Sequence, residues 1–197
     1  MCNDYEQHVA WASYREAIEA LEWSMPAAQA ERDLPQADAI RIRDIAPVIR
    51  AAGNGIELAR MRWGFPPVRP RASPVFNFRS EGRNFKDSRR CLIPASAFFE
   101  FSGTRSPKAK HRFTLVGEPF LCVAGIWRDG ADDQCPAFTM LTTAPGPDVA
   151  PYHDRQVVVL RPADWPAWIY LTKSEKELLQ PLPAGSLHAE TVRRGGG

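Results

Sequence analysis

The sequence predicts an α+β chain folded as one compact domain, with a curved, mainly antiparallel, barrel-like β core and a few flanking helices. Three observations carry this. The chain has 197 residues, 44% of them hydrophobic, enough for one sizeable core. Its 18 prolines favour many short elements over long helices. Past Cys91, short apolar runs alternate with Gly, Pro and Asp turns, the pattern of short strands in a rolled sheet.

The first element is a helix from about Val9 to Trp23, where Trp11, Tyr14, Ile18 and Leu21 form one apolar stripe. Pro26 and Pro35 break up the stretch after it. Ala46 to Arg50 and Ile56 to Trp63 read as strands around the turn Gly53-Asn54-Gly55. After a Pro- and Arg-rich loop, Phe65 to Pro74, the expected strands are Cys91–Ile93, Ala97–Phe101, His111–Val116, Phe120–Trp127, Ala137–Thr143 and Gln156–Leu160. Pro162 to Tyr170 suits a short helix interrupted at Pro166. Ser174 to Leu179 suits another, with Ser174 and Glu177 at capping-box spacing. Leu187 to Val192 adds a last strand. The domain is expected to span residues 1–192, with 193–197 as a flexible tail ending in Gly195-Gly196-Gly197.

The net charge is only +2, but it is unevenly spread. Between Arg69 and Arg112 stand eleven Lys or Arg against three acids, Glu81, Asp87 and Glu100. That asymmetry suits a basic face meeting an anionic partner, or a solvated surface loop. The four cysteines, at 2, 91, 122 and 135, form no CxxC pair and have no His at zinc-ligand spacing, which argues against a metal site. Cys91 and Cys122 lie in apolar runs and read as buried, unreactive thiols. A charged helix in place of a signal peptide, and no apolar stretch near ~20 residues, point to the cytosol and away from a membrane.

Four residues stand out chemically. Removal of Met1 would leave Cys2 with an α-amine and a thiol, pKa values near ~8 and ~8.5, on one residue. Such a 1,2-aminothiol condenses with an aldehyde to an imine and closes to a thiazolidine. Taken alone, Met-Cys favours an accidental second residue. Glu100, flanked by Phe98, Phe99 and Phe101, suits a desolvated general acid/base. Strand alternation offers the opposite reading, with Phe99 and Phe101 inside and Glu100 outside. His153, in a loop beside Asp154 and Arg155, could pass protons or be an ordinary loop residue. His8, His111 and His188 are weaker candidates. Asn77 opens Asn-Phe-Arg-Ser-Glu81, which could position a nucleophile and bind phosphate, or form a turn. Trp63, Phe65 and Phe76 flank this basic region, and aromatics interleaved with Arg suit base stacking. Trp63 reads equally well as core.

The stretches Met1-Cys2-Asn3, Arg62-Trp63-Gly64-Phe65, Asn77-Phe-Arg-Ser-Glu81 and Cys91-Leu-Ile-Pro-Ala-Ser-Ala-Phe-Phe-Glu100 occur in order. Ala124-Gly-Ile-Trp127, Thr142-Thr-Ala-Pro145, His153-Asp-Arg155 and Asp164-Trp-Pro-Ala-Trp168 come after them. The ordered set resembles the SOS-response-associated peptidase (SRAP) family of abasic-site-crosslinking proteins. The resemblance implies a single SRAP-like domain with Cys2 at the floor of a basic cleft, joined as a thiazolidine to the ring-opened abasic sugar in single-stranded DNA. The crosslink would shield the strand from cleavage and error-prone bypass. By position, Asn77 would hold the Cys2 amine, Glu100 would shuttle protons, His153 would assist, and Arg79 would bind a flanking phosphate. The expected DNA-contacting set is Trp63, Phe65, Arg69, Arg71, Arg79, Ser80, Arg83 and Arg155. No cofactor and no metal are implied, and the protein is expected to act as a monomer in the bacterial cytosol or nucleoid.

The sequence departs from the commonest family pattern at Asp4 (often Arg), Phe78 (a small residue), Phe101 (Trp) and Gln156-Val157 (Met-Pro). Two other readings use the same residues. One is a Cys2 peptidase or amidohydrolase with Glu100 and His153 as acid/base pair and Asn77 in an oxyanion hole. The other is a non-covalent single-stranded DNA-binding module, salt-sensitive and indifferent to Cys2.

Overall fold

Apolar runs such as Phe120-Leu-Cys-Val-Ala124 have no polar residue to turn toward water, so they must be covered on both faces. A computed structural model describes residues 2–24, 36–53, 55–67, 69, 71–130 and 135–196. The features expected at Met1, Pro26, Pro35, Asn54, Pro70 and Gly197 lie outside the described residues. In chain order the strands begin with β1 (Asp4–Gln7), β2 (Ala37–Arg41), β3 (Ile45–Ala52), β4 (Gly55–Trp63), β5 (Asn77–Arg79) and β6 (Arg89–Ala95). They continue with β7 (Ala97–Ser102), β8 (Ala109–Leu115), β9 (Leu121–Arg128), β10 (Ala137–Thr143), β11 (Gln156–Val157), β12 (Val159–Leu160) and β13 (Leu187–Arg193). The helices are α1 (Trp11–Ala20), α2 (Trp165–Tyr170) and α3 (Glu175–Leu178).

Strands β4, β3, β6, β9 and β10 pair in sequence, and β10 returns to β4 in parallel through Ala137↔Arg62 and Phe138↔Trp63. The sheet therefore closes on itself, as the barrel-like expectation required. Gly125 on β9 sits where a Cβ would collide with the Ile93 side chain and lie 2.9 Å from the Thr139 carbonyl, so only glycine fits. A second sheet, in the order β13-β8-β7-β1-β2, covers one side of the ring.

Alternation along the ring strands fills two cores. On β6, Leu92 faces a cluster with Tyr14 and Ile18 of α1 and Trp165 and Trp168 of α2. Cys91, Ile93 and Ala95 face the other cluster, between the sheets, with Tyr5, Trp63, Phe98, Phe113 and Phe138. Each fully buried aromatic contributes roughly 1.5–3 kcal/mol of apolar burial. Cys91 and Cys122 are buried, as expected.

Several local expectations change. The last central strand splits: β11 pairs with β10 and β12 with β9. The expected helix divides one residue before Pro166: Pro162–Asp164 is a 3-10 turn, and α2 begins at Trp165 with Pro166 in its first turn, where a missing N–H is harmless. The Ser174–Glu177 capping box is present. Strands β1, β2 and β5 add to the expected set, and β1 lies between β2 and β7 in the middle of its sheet. Past Val192 the chain keeps contact with the β7–β8 connection. Arg193 belongs to β13, and the Gly196 N–H donates to the Pro107 carbonyl at 2.8 Å. Among the described residues, no helix is long and apolar enough to cross a membrane.

Candidate active site

A residue near the start of a chain is ordinarily mobile, but Cys2 is tied down because β1 begins two residues later inside a sheet. Asp4 pairs with Lys110 at 2.5 Å and Glu6 with Arg112 (Nε–Oε1 2.8 Å), both on β8, so two ion pairs pin the outer face of β1. Cys2 itself is completely buried in the inter-sheet core. Its Sγ donates to the Asp4 carbonyl at 3.3 Å. Burial pushes the thiol pKa strongly up, and the Glu100 charge pushes it further.

Strand alternation on β7 runs opposite to the outward reading of Glu100. Phe98 stacks on Phe113 inside the core, and Glu100, two residues on, shares that face. Phe99 and Phe101 take the other face, where Lys110 Nζ lies 3.7 Å above the Phe99 ring. Glu100 is completely buried, and its pKa is raised to about 7 by that burial. The Cys2 backbone N–H hydrogen-bonds to its carboxylate and opposes the rise. The nitrogen that would become the α-amine therefore already faces Glu100.

Asn77 reaches the same place from β5, whose parallel pairing with β10 sets Asn77 beside Met140. Its Nδ2 donates to the Cys2 carbonyl oxygen at 2.7 Å, not to the nitrogen that its expected role concerned. His153 lies in the loop between β10 and β11, with Nε2 3.9 Å from Glu100 Oε2 and Nδ1 3.0 Å from the Arg155 backbone N–H. Burial lowers its pKa. Gln156, at one of the departing positions, clamps this loop by accepting the Gly146 N–H at 2.6 Å. Cys2, Asn77, Glu100 and His153 thus come together from four separate segments.

The expected DNA-contacting residues divide. Trp63 is completely buried, with Phe138 stacked on it at 6.4 Å, and its Nε1 donates to the Phe76 carbonyl at 2.9 Å. It offers no face to a base, and instead holds the backbone just before Asn77. Phe65 is buried too, under Arg128 at 4.6 Å. Ser80 is buried, its Oγ donating to the Thr142 carbonyl at 2.9 Å. Arg155 forks onto Glu81 (Nη2–Oε2 2.9 Å) and reaches Thr142 Oγ1 at 3.1 Å, so it closes the site's frame. Arg69, Arg71, Arg79 and Arg83 are exposed, the last over the Phe78 ring at 5.2 Å.

Two supporting residues are under-read in the sequence: His111, only a weaker candidate there, and Tyr152, not singled out. His111 on β8 lies directly across from Glu100, with Nε2 2.7 Å from Ser102 Oγ and Nδ1 3.0 Å from Thr191 Oγ1. Tyr152 packs on its ring at 4.5 Å and on Phe113 at 5.5 Å, which anchors the loop one residue before His153. The period-2 spacing of His111 with Phe113 and Leu115 was the available signal. A groove beside Asn3 and His153 opens outward from this site. Among the described residues, no group of three or more His, Cys, Asp or Glu could hold a metal ion.

Known proteins resemble this chain in sequence and in fold. The abasic site processing protein YoqW of Bacillus subtilis (strain 168) is 27% identical over 160 residues, covering 71% of each chain. YoaM of the same organism, also called an abasic site processing protein, is 27% identical over 145 residues, covering 66% of this chain and 64% of its own. A crystal structure of a Bordetella bronchiseptica protein superposes with a TM-score of 0.71 at 25% identity, covering 98% of this chain and all of its own. One from Bacteroides thetaiotaomicron gives 0.71 at 17% identity, covering 98% and 92%, a likeness of fold. The model of the family described as SOS response associated peptidase (SRAP) matches residues 1–195, and the chain belongs to that family.

Proposed function

We propose that the chain captures abasic sites in single-stranded DNA covalently, through the amine and thiol that Cys2 presents once Met1 is removed. One observation carries the reading above the others: the Cys2 backbone nitrogen hydrogen-bonds to Glu100, a buried carboxyl whose pKa is raised to about 7, and the Cys2 thiol lies close enough to feel that charge. The unprotonated amine adds to C1 of the ring-opened sugar, and protonated Glu100 gives its proton to the departing hydroxyl, releasing water. The thiol sulfur then adds to the iminium carbon while its proton returns to the Glu100 carboxylate. The product is a thiazolidine with a secondary amine, and the net loss is one water. Asn77 fixes the Cys2 backbone through its carbonyl, and His153, 3.9 Å from Glu100, exchanges protons with it. The adduct would shield the strand from cleavage and error-prone bypass.

The relatives named abasic site processing proteins support the choice of lesion. The basic Arg69–Arg112 segment supports DNA as the polymer. A turnover peptidase is less well supported, because it needs a thiolate, and both burial and Glu100 oppose thiolate formation. Incubation with uracil-excised single-stranded DNA, followed by a denaturing gel, tests the reading. A shifted band is expected from the wild type and none from Cys2→Ala; an equal band from both would sink it.

A further inference from the structure

We propose that the segment Arg193–Gly196 and the β7–β8 hairpin form one wall of the DNA groove, holding a phosphate that flanks the captured nucleotide through Lys108 and Arg193. The inference rests on the proposed role of Cys2. The hairpin Gly103-Thr-Arg-Ser-Pro-Lys108 and the segment Arg193-Arg-Gly-Gly196 carry four basic residues and no acid. Strand β13 brings them together by pairing along β8 as far as Arg193↔Lys110. Arg193 then donates from Nε and Nη2 to the Lys108 carbonyl at 3.3 and 3.0 Å, and the Gly196 N–H binds the Pro107 carbonyl. A Cβ on Gly195 would meet the Ala109 nitrogen at 3.1 Å, and one on Gly196 the Ser106 carbonyl at 3.3 Å. The two glycines thus let the segment lie flat on the hairpin.

The resulting groove measures about 570 Å³ and is lined by Asn3 and His153, by Phe101, and by Lys108 and Arg193. Asn3 adjoins Cys2 in the chain and His153 adjoins Glu100 in space, so the groove leads from the reacting atoms. Lys110 and Arg112 are neutralised by Asp4 and Glu6. Among the described residues, Lys108 and Arg193 pair with no carboxylate. The nearest opposing charge on the His153 loop is Asp154, whose side chain is 91% exposed beside His153. Lys108 lies close enough for its charge to oppose protonation of His153, after burial, the larger cause. Two cations beside an apolar ring, opening from a site for a sugar aldehyde, suit the next phosphodiester of a single strand.

The experiment measures binding of a short, undamaged single-stranded oligonucleotide across a salt series, and crosslinking to its abasic counterpart. The double variant Lys108→Ala, Arg193→Ala should weaken undamaged binding roughly tenfold or more and reduce the salt slope by about one to two. Arg193→Lys, which keeps the charge, should keep the slope. Arg15→Ala on α1 should bind as wild type, and thermal unfolding reports whether each variant is folded. At limiting protein the double variant should crosslink more slowly, with the wild-type rate recovered at saturation. Unchanged affinity and slope in the folded double variant overturns the groove, whatever Cys2 does. No crosslink from the wild type, with the affinity loss still present, overturns the reading of Cys2 and leaves the groove standing.

Discussion

The Asn77 side-chain amide donates to the Cys2 carbonyl oxygen at 2.7 Å, across 75 residues of chain. That bond fixes the rotation of the peptide just after the reactive residue, and so the direction in which its amine and thiol point. The Asn77 Oδ1 is buried with no hydrogen-bond partner among the described residues. A group in that state is an acceptor in waiting, and an α-amine at Cys2 would offer it a donor. Asn77→Ala strands a buried carbonyl at a cost of about 1–3 kcal/mol. Crosslinking should slow by roughly 5- to 100-fold, while undamaged DNA binds as before. A single-turnover time course on denaturing gels checks the rate, and fluorescence anisotropy checks the affinity.

Glu100 carries two pH signatures. Its folded pKa is raised from 4.5 to about 7, so between those values the native state holds a proton that the unfolded chain has released. Stability then falls as pH rises through that window, by about 3 kcal/mol in all. Glu100→Gln removes the titration. The variant should exceed the wild type in urea stability at pH 8 by about 1–3 kcal/mol, with the gap closing toward pH 4.5. In the reaction, protonated Glu100 and an unprotonated amine are both required, the latter with a pKa near ~8. The wild-type rate should therefore peak between about pH 7 and 8. Glu100→Gln should be slow and lack the alkaline fall.

His153 owes its place to Tyr152. The phenol ring wedges against His111 and Phe113 on β8, and β8 is registered to β7 at Glu100↔His111. Tyr152→Phe keeps the wedge and should crosslink normally. Tyr152→Ala removes it and should slow crosslinking toward the rate of His153→Ala, about 100-fold below wild type if His153 acts as acid/base. Gel time courses on the three variants separate positioning from chemistry. A Tyr152→Ala rate equal to wild type would show that the loop holds itself.

The ring strands were legible because doubly buried strands have no polar positions to hide, as in Phe120-Leu-Cys-Val-Ala124. Strand β1 was not. Its alternation of Asp4 and Glu6 outside with Tyr5 and Gln7 inside is a period-2 pattern, but four residues beside a helix are too few to declare it. Its backbone pairs with β2 and β7, and its outer face with Lys110 and Arg112, more than a hundred residues away. The same limit applies to the site. No spacing relates Cys2, Asn77, Glu100 and His153, and only the ordered family motifs pointed to them together. Glu100 was ambiguous for a definite reason: a run of Phe on both sides does not say which face is the interior. Phe98 stacking on Phe113 decides it.

Trp63 separates a base-stacking role from a structural one. With no exposed surface, contacts to Tyr5, Phe76 and Phe138, and an indole N–H bound to the Phe76 carbonyl, it belongs to the core. Trp63→Ala should cost about 3–5 kcal/mol of stability, the range for emptying a buried aromatic site. Trp63→Phe should cost less, but it removes one of the two donors, the indole N–H and the Met140 N–H, that hold the Phe76 carbonyl just before Asn77. Its crosslinking rate should therefore fall further than its DNA affinity. Urea unfolding, anisotropy and gel kinetics on the two variants provide the check. A folded Trp63→Phe with lowered affinity and an unchanged reaction rate at saturation would return Trp63 to the DNA surface.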